Sequence, residues 1–282
     1  MPINELDHYL VKNFKHVKDS GLPITHTTIG DQNLGVYGGA YHIPDENYEE
    51  FMNFYYNYVF VGGNDAYLTE KQQDVVAIDF DFRYDPCIKA RQHTPEHFLD
   101  CLVLYAEKIG ELMDNIPTNT TIKAYVMEKP DVNKLDNKTK DGIHVILGLR
   151  MPREAQVVLR DLVLPCLKNL WDDLPLTNAW DDVIDEGVVK ASVNWQLIGS
   201  HKPGNQTYAL TGTYDLICTD AKHNYWDVKK AKNNNTPLTL EQVLSLSVRN
   251  NNAPHLSFTT VKPAHEETVV NGKRRLEKKK KK

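Results

Sequence analysis

Apolar side chains recur along this chain at two alternating periods, one helical and one extended. Leu6, Tyr9, Leu10 and Phe14 share one face over 5–16 and predict an amphipathic helix. Pro44-Asp45-Glu46 opens a second helix, with Phe51, Phe54, Tyr55 and Tyr58 on one side. Aromatics at that spacing are read as core rather than as a platform for stacking bases. Thr94-Pro95-Glu96 offers a cap, a proline at the first position and an early acid. The third helix therefore starts there and runs to about Met113, with Phe98, Leu102, Tyr105, Ile109 and Leu112 inward. A fourth covers 153–171, where Pro165 should kink or end it. Thr239 and Gln242 form a capping box for a fifth.

Between these helices the period drops to two. Val76, Ile78, Phe80 and Phe82 alternate with polar partners over 74–83 and predict a strand. Strands are also expected over 121–128 and 142–149, joined by a polar connection and paired as neighbours. Strand-like runs follow at 183–198 around Gly187, and again at 207–218. Helices and strands intermingle without an internal repeat, so the class is α/β or α+β. From 263 the composition turns polar and ends in Lys278–Lys282, a tail expected to be disordered or a linker. Residues 1–262 are then the folded body.

No apolar run is long enough to span a bilayer, and the first residues are too polar for a signal peptide; the protein is expected to be intracellular. Cys87, Cys101, Cys166 and Cys218 are widely spaced, which fits neither a disulfide scaffold nor a zinc site. Residues 273–282 hold eight Lys/Arg and one Glu, +7, which leaves −12 on the rest of the chain against −5 for the whole. That balance lends no support to nucleic-acid binding and does not exclude it, because a basic channel can be local.

Asp79 and Asp81 are the sharpest chemical feature. At i and i+2 on a strand they project to one face, Cα atoms roughly 6.5–7 Å apart. Adjacent carboxylates repel unless a cation lies between them, and hard oxygen donors suit Mg²⁺ or Mn²⁺. A half-exposed strand with an acidic outer face is the plain alternative. His144 follows Gly142 in a later strand, where the missing Cβ permits close approach of a phosphate and Lys138 and Lys140 bring positive charge. Asp185 sits at the end of an apolar approach. Ser200, His201 and Lys202 lie in a glycine-flanked turn that does not match the Walker A pattern.

Taken in order, Ile78-Asp-Phe-Asp81, Gly142-Ile-His144, Val183-Ile-Asp185 and the Ser200-His-Lys202 turn resemble the archaeo-eukaryotic primase superfamily. The resemblance is to the primase half of the D5-type primase-helicases of large nucleocytoplasmic DNA viruses. Tyr41-His-Ile-Pro-Asp45, Tyr67-Leu-Thr-Glu70 and Asp81-Phe-Arg-Tyr84 are similar to that group as well, and the likeness spans about 20–260. It implies an α+β fold, with an α/β module packed against an RNA-recognition-like antiparallel sheet and the active site between them. It implies a DNA primase that makes short primers on single-stranded DNA from NTPs or dNTPs by two-metal nucleotidyl transfer. Asp79, Asp81 and Asp185 would hold Mg²⁺ or Mn²⁺. His144, Lys202, His201, Ser200, Arg83 and Lys140 would meet the nucleotide. It further implies a superfamily 3 helicase domain in the full-length polypeptide, oligomerisation through it, and work at a viral replication site in host cytoplasm or nucleus.

Two departures bear on nucleotide binding. Many relatives carry Ser where this chain has Gly142, and some carry arginines before the lysine turn where it has Val193 and Gln196. A non-catalytic DNA-binding module of the same fold is one rival reading. A DxD glycosyltransferase is another, although it assigns nothing to Asp185 or His144.

Overall fold

The computed structural model describes residues 4–231 and 237–280. Helix α1 (Glu5–Phe14) begins where the Asn4 side chain accepts the Asp7 amide, and it buries Leu6, Leu10 and Phe14. Strands β1 (His26–Thr28) and β2 (Gly39–Tyr41) precede α2 (Tyr48–Tyr56), which widens into a π-helical turn over Asn57–Val61. Next come β3 (Leu68–Glu70), β4 (Val75–Tyr84) and α3 (Pro95–Leu112), followed by β5 (Thr121–Glu128), β6 (Asn133–Lys134) and β7 (Thr139–Arg150). Helix α4 (Arg153–Leu170) leads to the single turn α5 (Glu186–Val189) and to β8 (Trp195–Gln196). The chain closes with β9 (Ala209–Asp220), β10 (Tyr225–Lys230), α6 (Leu240–Ser245), β11 (Leu256–Ser257) and α7 (Glu266–Lys280).

These elements form two units, each assembled from three stretches of chain. The first takes Met1–Gln73, Val193–Ala209 and Asn235–Pro254; the second takes Asp74–Ser192, Leu210–Asn234 and His255–Lys282. The first unit holds a four-stranded sheet in the order β2-β1-β3-β8, antiparallel throughout. Of the four aromatics expected as core, Phe51 and Tyr55 are fully buried, whereas Phe54 and Tyr58 are half-buried. Phe54 stacks on Tyr9 with ring centroids 4.0 Å apart. A polar knot closes this unit. Glu70 is wholly buried, accepting from the Tyr48 hydroxyl (3.0 Å), the Ser247 hydroxyl (2.8 Å) and the Val248 amide (2.8 Å). It thereby ties β3 to the segment after α6.

The second unit is a seven-stranded sheet with the path β10-β9-β5-β7-β11, onto which β4 and β6 add by pairing with β7. Strands β4, β5 and β6 run antiparallel to β7, as β10 does to β9, whereas β11 lies parallel to β7. Helices α3 and α4 cover one face, where Phe80, Phe82, Ile143 and Val145 meet Phe98, Leu102, Tyr105 and Ile109. The Thr94 cap and the inward face of α3 are as the periodicity predicts. The class is α+β.

The helix expected over 153–171 is α4, and of the two effects expected of Pro165 the ending does not occur, since α4 continues to Leu170. The carbonyl that a residue-165 amide would have bonded belongs to Asp161, on the exposed side of the helix where water can satisfy it. Two expectations need correction. Residues 183–198 are not strand-rich: Ile184 makes one isolated bridge, to Phe80, and α5 and the two-residue β8 follow. The polar end is a helix through Lys280, packed on α4, with Val269 and Leu276 against the core and Arg275 paired to Asp161. Lys281 and Lys282 lie outside the described residues.

Candidate active site

Strand β4 sorts its side chains by parity. Val76, Ile78, Phe80 and Phe82 are at most 2% exposed and enter the core, so Asp79, Asp81 and Arg83 take the opposite face. Its antiparallel register with β7 sets Asp79 opposite His144, Asp81 opposite Gly142, and Arg83 opposite Lys140. Residues directly opposite share a face, so the second-unit candidates are gathered on one side of two neighbouring strands.

On that face the charges are already interlocked. Arg83 grips Asp81 Oδ2 with Nη2 (2.9 Å) and Nε (3.2 Å), and Lys140 Nζ lies 3.4 Å from Asp81 Oδ1. Arg83 Nη1 also reaches Asp182, at 3.6 Å. The guanidinium is held above its ordinary range chiefly by the hydrogen bonds to Asp81. His144 Nε2 stands 3.5 Å from Asp79 Oδ1, with the imidazole side chain 8% exposed and the carboxylate 26%. The Gly142 amide donates to Asp141 Oδ1 (2.9 Å), so what Gly142 offers a ligand is the space left by its missing Cβ.

Asp185 arrives by another route. The outer edge of β4 carries backbone groups that need partners, and the segment 177–185 supplies them. The Thr177 amide donates to the Arg83 carbonyl (2.7 Å), and Asn178 Nδ2 to the Asp81 carbonyl (2.9 Å). The Asp81 amide donates to the Val183 carbonyl (3.0 Å), and the Asp185 amide to the Asp79 carbonyl (2.9 Å). Main chain therefore holds Asp185 beside Asp79. Its Oδ1 turns back to accept the Gly187 amide (2.7 Å) and caps α5.

As donors, Asp79, Asp81 and Asp185 fit a hard divalent cation in type and in neighbourhood. They are not drawn together: among the described residues no group of three His, Cys, Asp or Glu is arranged to hold a metal ion. Asp81 is neutralised by Arg83 and Lys140, and one Asp185 oxygen is committed to its cap.

Ser200, His201 and Lys202 belong to the first unit. The Ser200 hydroxyl is buried between the Tyr55 hydroxyl (2.8 Å) and the Leu68 amide (3.0 Å), so its evident work is to hold the turn. His201 Nε2 lies 3.2 Å from Asp65 Oδ1. The Lys202 side chain is exposed and makes no ion pair among the described residues.

Sequence reasoning missed Asn178 and Asp182, which complete the Asp81–Arg83 arrangement from the covering segment. It also missed a buried network behind the site. Arg91 makes two hydrogen bonds to Asp141 (3.0 and 3.1 Å) and approaches Glu128 (3.1 Å), while His93 Nε2 meets Glu128 Oε1 (2.8 Å). Asp141 is the neighbour of Gly142, so the network anchors β7 next to the site. No local signal joined Arg91 to Asp141, since 50 residues separate them.

Residues 30–214, about two thirds of the chain, match the model of the C962R protein N-terminal AEP domain, where AEP abbreviates archaeo-eukaryotic primase. The chain belongs to the archaeo-eukaryotic primase family. The matched stretch contains every candidate residue named above, in both units. A protein named as a helicase in Acanthamoeba polyphaga mimivirus is 29% identical over 216 residues, 75% of this chain. The chain spans 22% of that relative's length. A primase-type domain and a viral relative named for helicase work thus agree with the expected kind of replication module.

Proposed function

We propose that this domain is a DNA primase that joins NTPs or dNTPs into short primers on a single-stranded DNA template. The observation that carries the reading is the common face of Asp79, Asp81 and His144, with Asp185 fastened by its amide to the Asp79 carbonyl. Asp79, Asp81 and Asp185 would hold Mg²⁺ or Mn²⁺, which supply charge neutralisation at the reacting phosphate and lower the pKa of the attacking 3′-hydroxyl. His144, Lys140 and Lys202 would meet triphosphate oxygens. Template contacts to phosphates make binding sensitive to salt and largely indifferent to sequence.

The test is primer synthesis by the purified chain on single-stranded DNA with either nucleotide type and Mg²⁺ or Mn²⁺. Labelled oligonucleotides are expected, and Asp185→Ala should reduce them at least about a hundredfold. Full activity in Asp185→Ala would remove that residue from the site. A non-catalytic DNA-binding module is the second reading, favoured by the saturation of Asp81 with Arg83 and Lys140. Absence of product under all four conditions would select it.

The same ion pair makes a separate expectation. Arg83 and a metal ion compete for Asp81, and the pair is partly exposed, so its strength is about 1 kcal/mol or less. Arg83→Gln should then tighten Mn²⁺ binding by roughly threefold, read by titration with electron paramagnetic resonance. Weaker Mn²⁺ binding in that variant would show Arg83 supporting the ion rather than opposing it.

The mimivirus relative's name and length lead us to propose a superfamily 3 helicase domain in the full-length polypeptide, assembly through it, and action at a viral replication site in host cytoplasm or nucleus. Among the described residues no helix is long and apolar enough to cross a membrane.

A further inference from the structure

The first unit contains a cavity of about 250 Å³, to which Asn4, Asp7, Tyr37, Tyr58, Asp65 and Tyr67 all contribute. Asp7 is 6% exposed. Asn4 Nδ2 donates to its Oδ2 (2.7 Å), and Oδ1 has no hydrogen-bond partner among the described residues. The residue is largely buried yet lines the open volume, which leaves Oδ1 to be met there by water or by a ligand that donates to it. Burial holds the Asp7 carboxyl above its usual range. Asp65 adds a second carboxylate on the wall, its side chain 76% exposed.

The walls between the two acids are aromatic. The Tyr58 and Tyr67 hydroxyls are held above their ordinary range, first by burial and then by the negative charges of Asp7 and Asp65 among others. A phosphate or carboxylate ligand would meet like charge on two sides. A purely apolar ligand would leave Asp7 Oδ1 unmatched. A cation carrying N–H donors answers both, pairing with the carboxylate while its face or stem packs on the rings. The volume lies just under the usual range for drug-sized ligands, roughly 300–1,000 Å³, so a single planar or tetrahedral head group with a short stem fits it.

We propose that this cavity is a binding site for an organic cation, a guanidinium or primary ammonium group that pairs with Asp7 and packs against Tyr58 and Tyr67. Two sources present that chemistry: a free polyamine, and an arginine or lysine side chain of a partner protein. Nucleotidyl transfer does not enter this reasoning, so the proposal stands apart from the catalytic reading.

Calorimetric titration of the intact chain with spermidine, and separately with the blocked tripeptide acetyl-Gly-Arg-Gly-amide, decides it. A third arm replaces arginine by citrulline, which keeps the shape and loses the charge. At least one cation should bind with Kd below about 1 mM, and the citrulline peptide should not. Asp7→Asn should weaken binding by about tenfold or more. Tyr58→Leu should weaken it severalfold and serves as the second variant if Asp7→Asn does not fold. Binding of spermidine without the peptide assigns the site to polyamines, and the reverse assigns it to a protein side chain. The proposal is overturned if neither cation binds, if citrulline binds as well as arginine, or if the foldable variants bind undiminished.

Discussion

Asp79→Asn should lower primer synthesis by at least about a thousandfold, a barrier increase of roughly 4 kcal/mol, while leaving the fold intact. The substitution keeps the shape and removes the charge of the carboxylate that stands 3.5 Å from His144 Nε2. Asp185 is held by the Asp79 carbonyl and not by its side chain, so its placement survives the change. The packing of β4 also survives, because its core contacts come from Ile78 and Phe80 on either side. Product lengths on a denaturing gel, read beside a thermal melt, separate lost chemistry from lost structure. Synthesis within tenfold of the wild type, with an unchanged melt, would take Asp79 out of the reaction.

The second large effect concerns stability. Burial pushes the Glu70 carboxyl up to about 7 from 4.5, against the hydrogen bonds from Ser247, Val248 and Tyr48 and the charge of Arg249, which pull it down. A native pKa above the unfolded one means that the folded state takes up the proton. The resulting stability is complete below pH 4.5 and is lost as the pH rises to about 7, a change of about 3 kcal/mol. His26, directly opposite Glu70 in the sheet, works the other way. Burial first, and then the charge of Arg249, depress it from 6.5 to about 3, so its contribution is present above pH 6.5 and lost on acidification. Between pH 4.5 and 6.5 the two slopes oppose each other, each about 1.4 kcal/mol per pH unit. Glu70→Gln removes one of them. Denaturant unfolding of both proteins from pH 4.5 to 7 should show the gap between their curves changing by about 3 kcal/mol. Parallel curves would mean that Glu70 does not titrate in this window.

Much of the frame was legible because local chemistry dictated it. Thr94, Pro95 and Glu96 start α3 where a cap, a fixed φ and an early acid agree. The period-two run in β4 placed Asp79 and Asp81 on one face, and the β5–β7 pairing followed from two apolar runs joined by a polar connection. The same arithmetic applies to Asp81 and Arg83, two residues apart on one strand, so their ion pair was within reach of the sequence too. Asp185 was not legible from geometry. Nothing local says that 177–185 will cover the outer edge of β4, because that depends on which backbone groups the folded sheet leaves open. The Arg91–Asp141–Glu128 network is hidden for a similar reason, since its members come from three separate elements. The terminal helix escaped because a lysine-rich composition reads as solvated chain. Val269, Leu276 and Arg275 supply an apolar and a charged grip on α4 that composition averages away.

The threefold threading of each unit bears on how the protein is made. The ribosome releases the chain in order, yet the first unit waits for Asn235–Pro254 and the second for His255–Lys282. A nascent chain that has reached residue 214, the end of the family match, has already made Glu70 and not yet made Ser247 or Val248, two of its three hydrogen-bond donors. Neither unit can finish early and shelter the other. A gene trimmed to the matched residues would yield a chain in which Glu70 lacks two of those three donors, and incompletely packed chains of this kind expose the surfaces on which chaperones act.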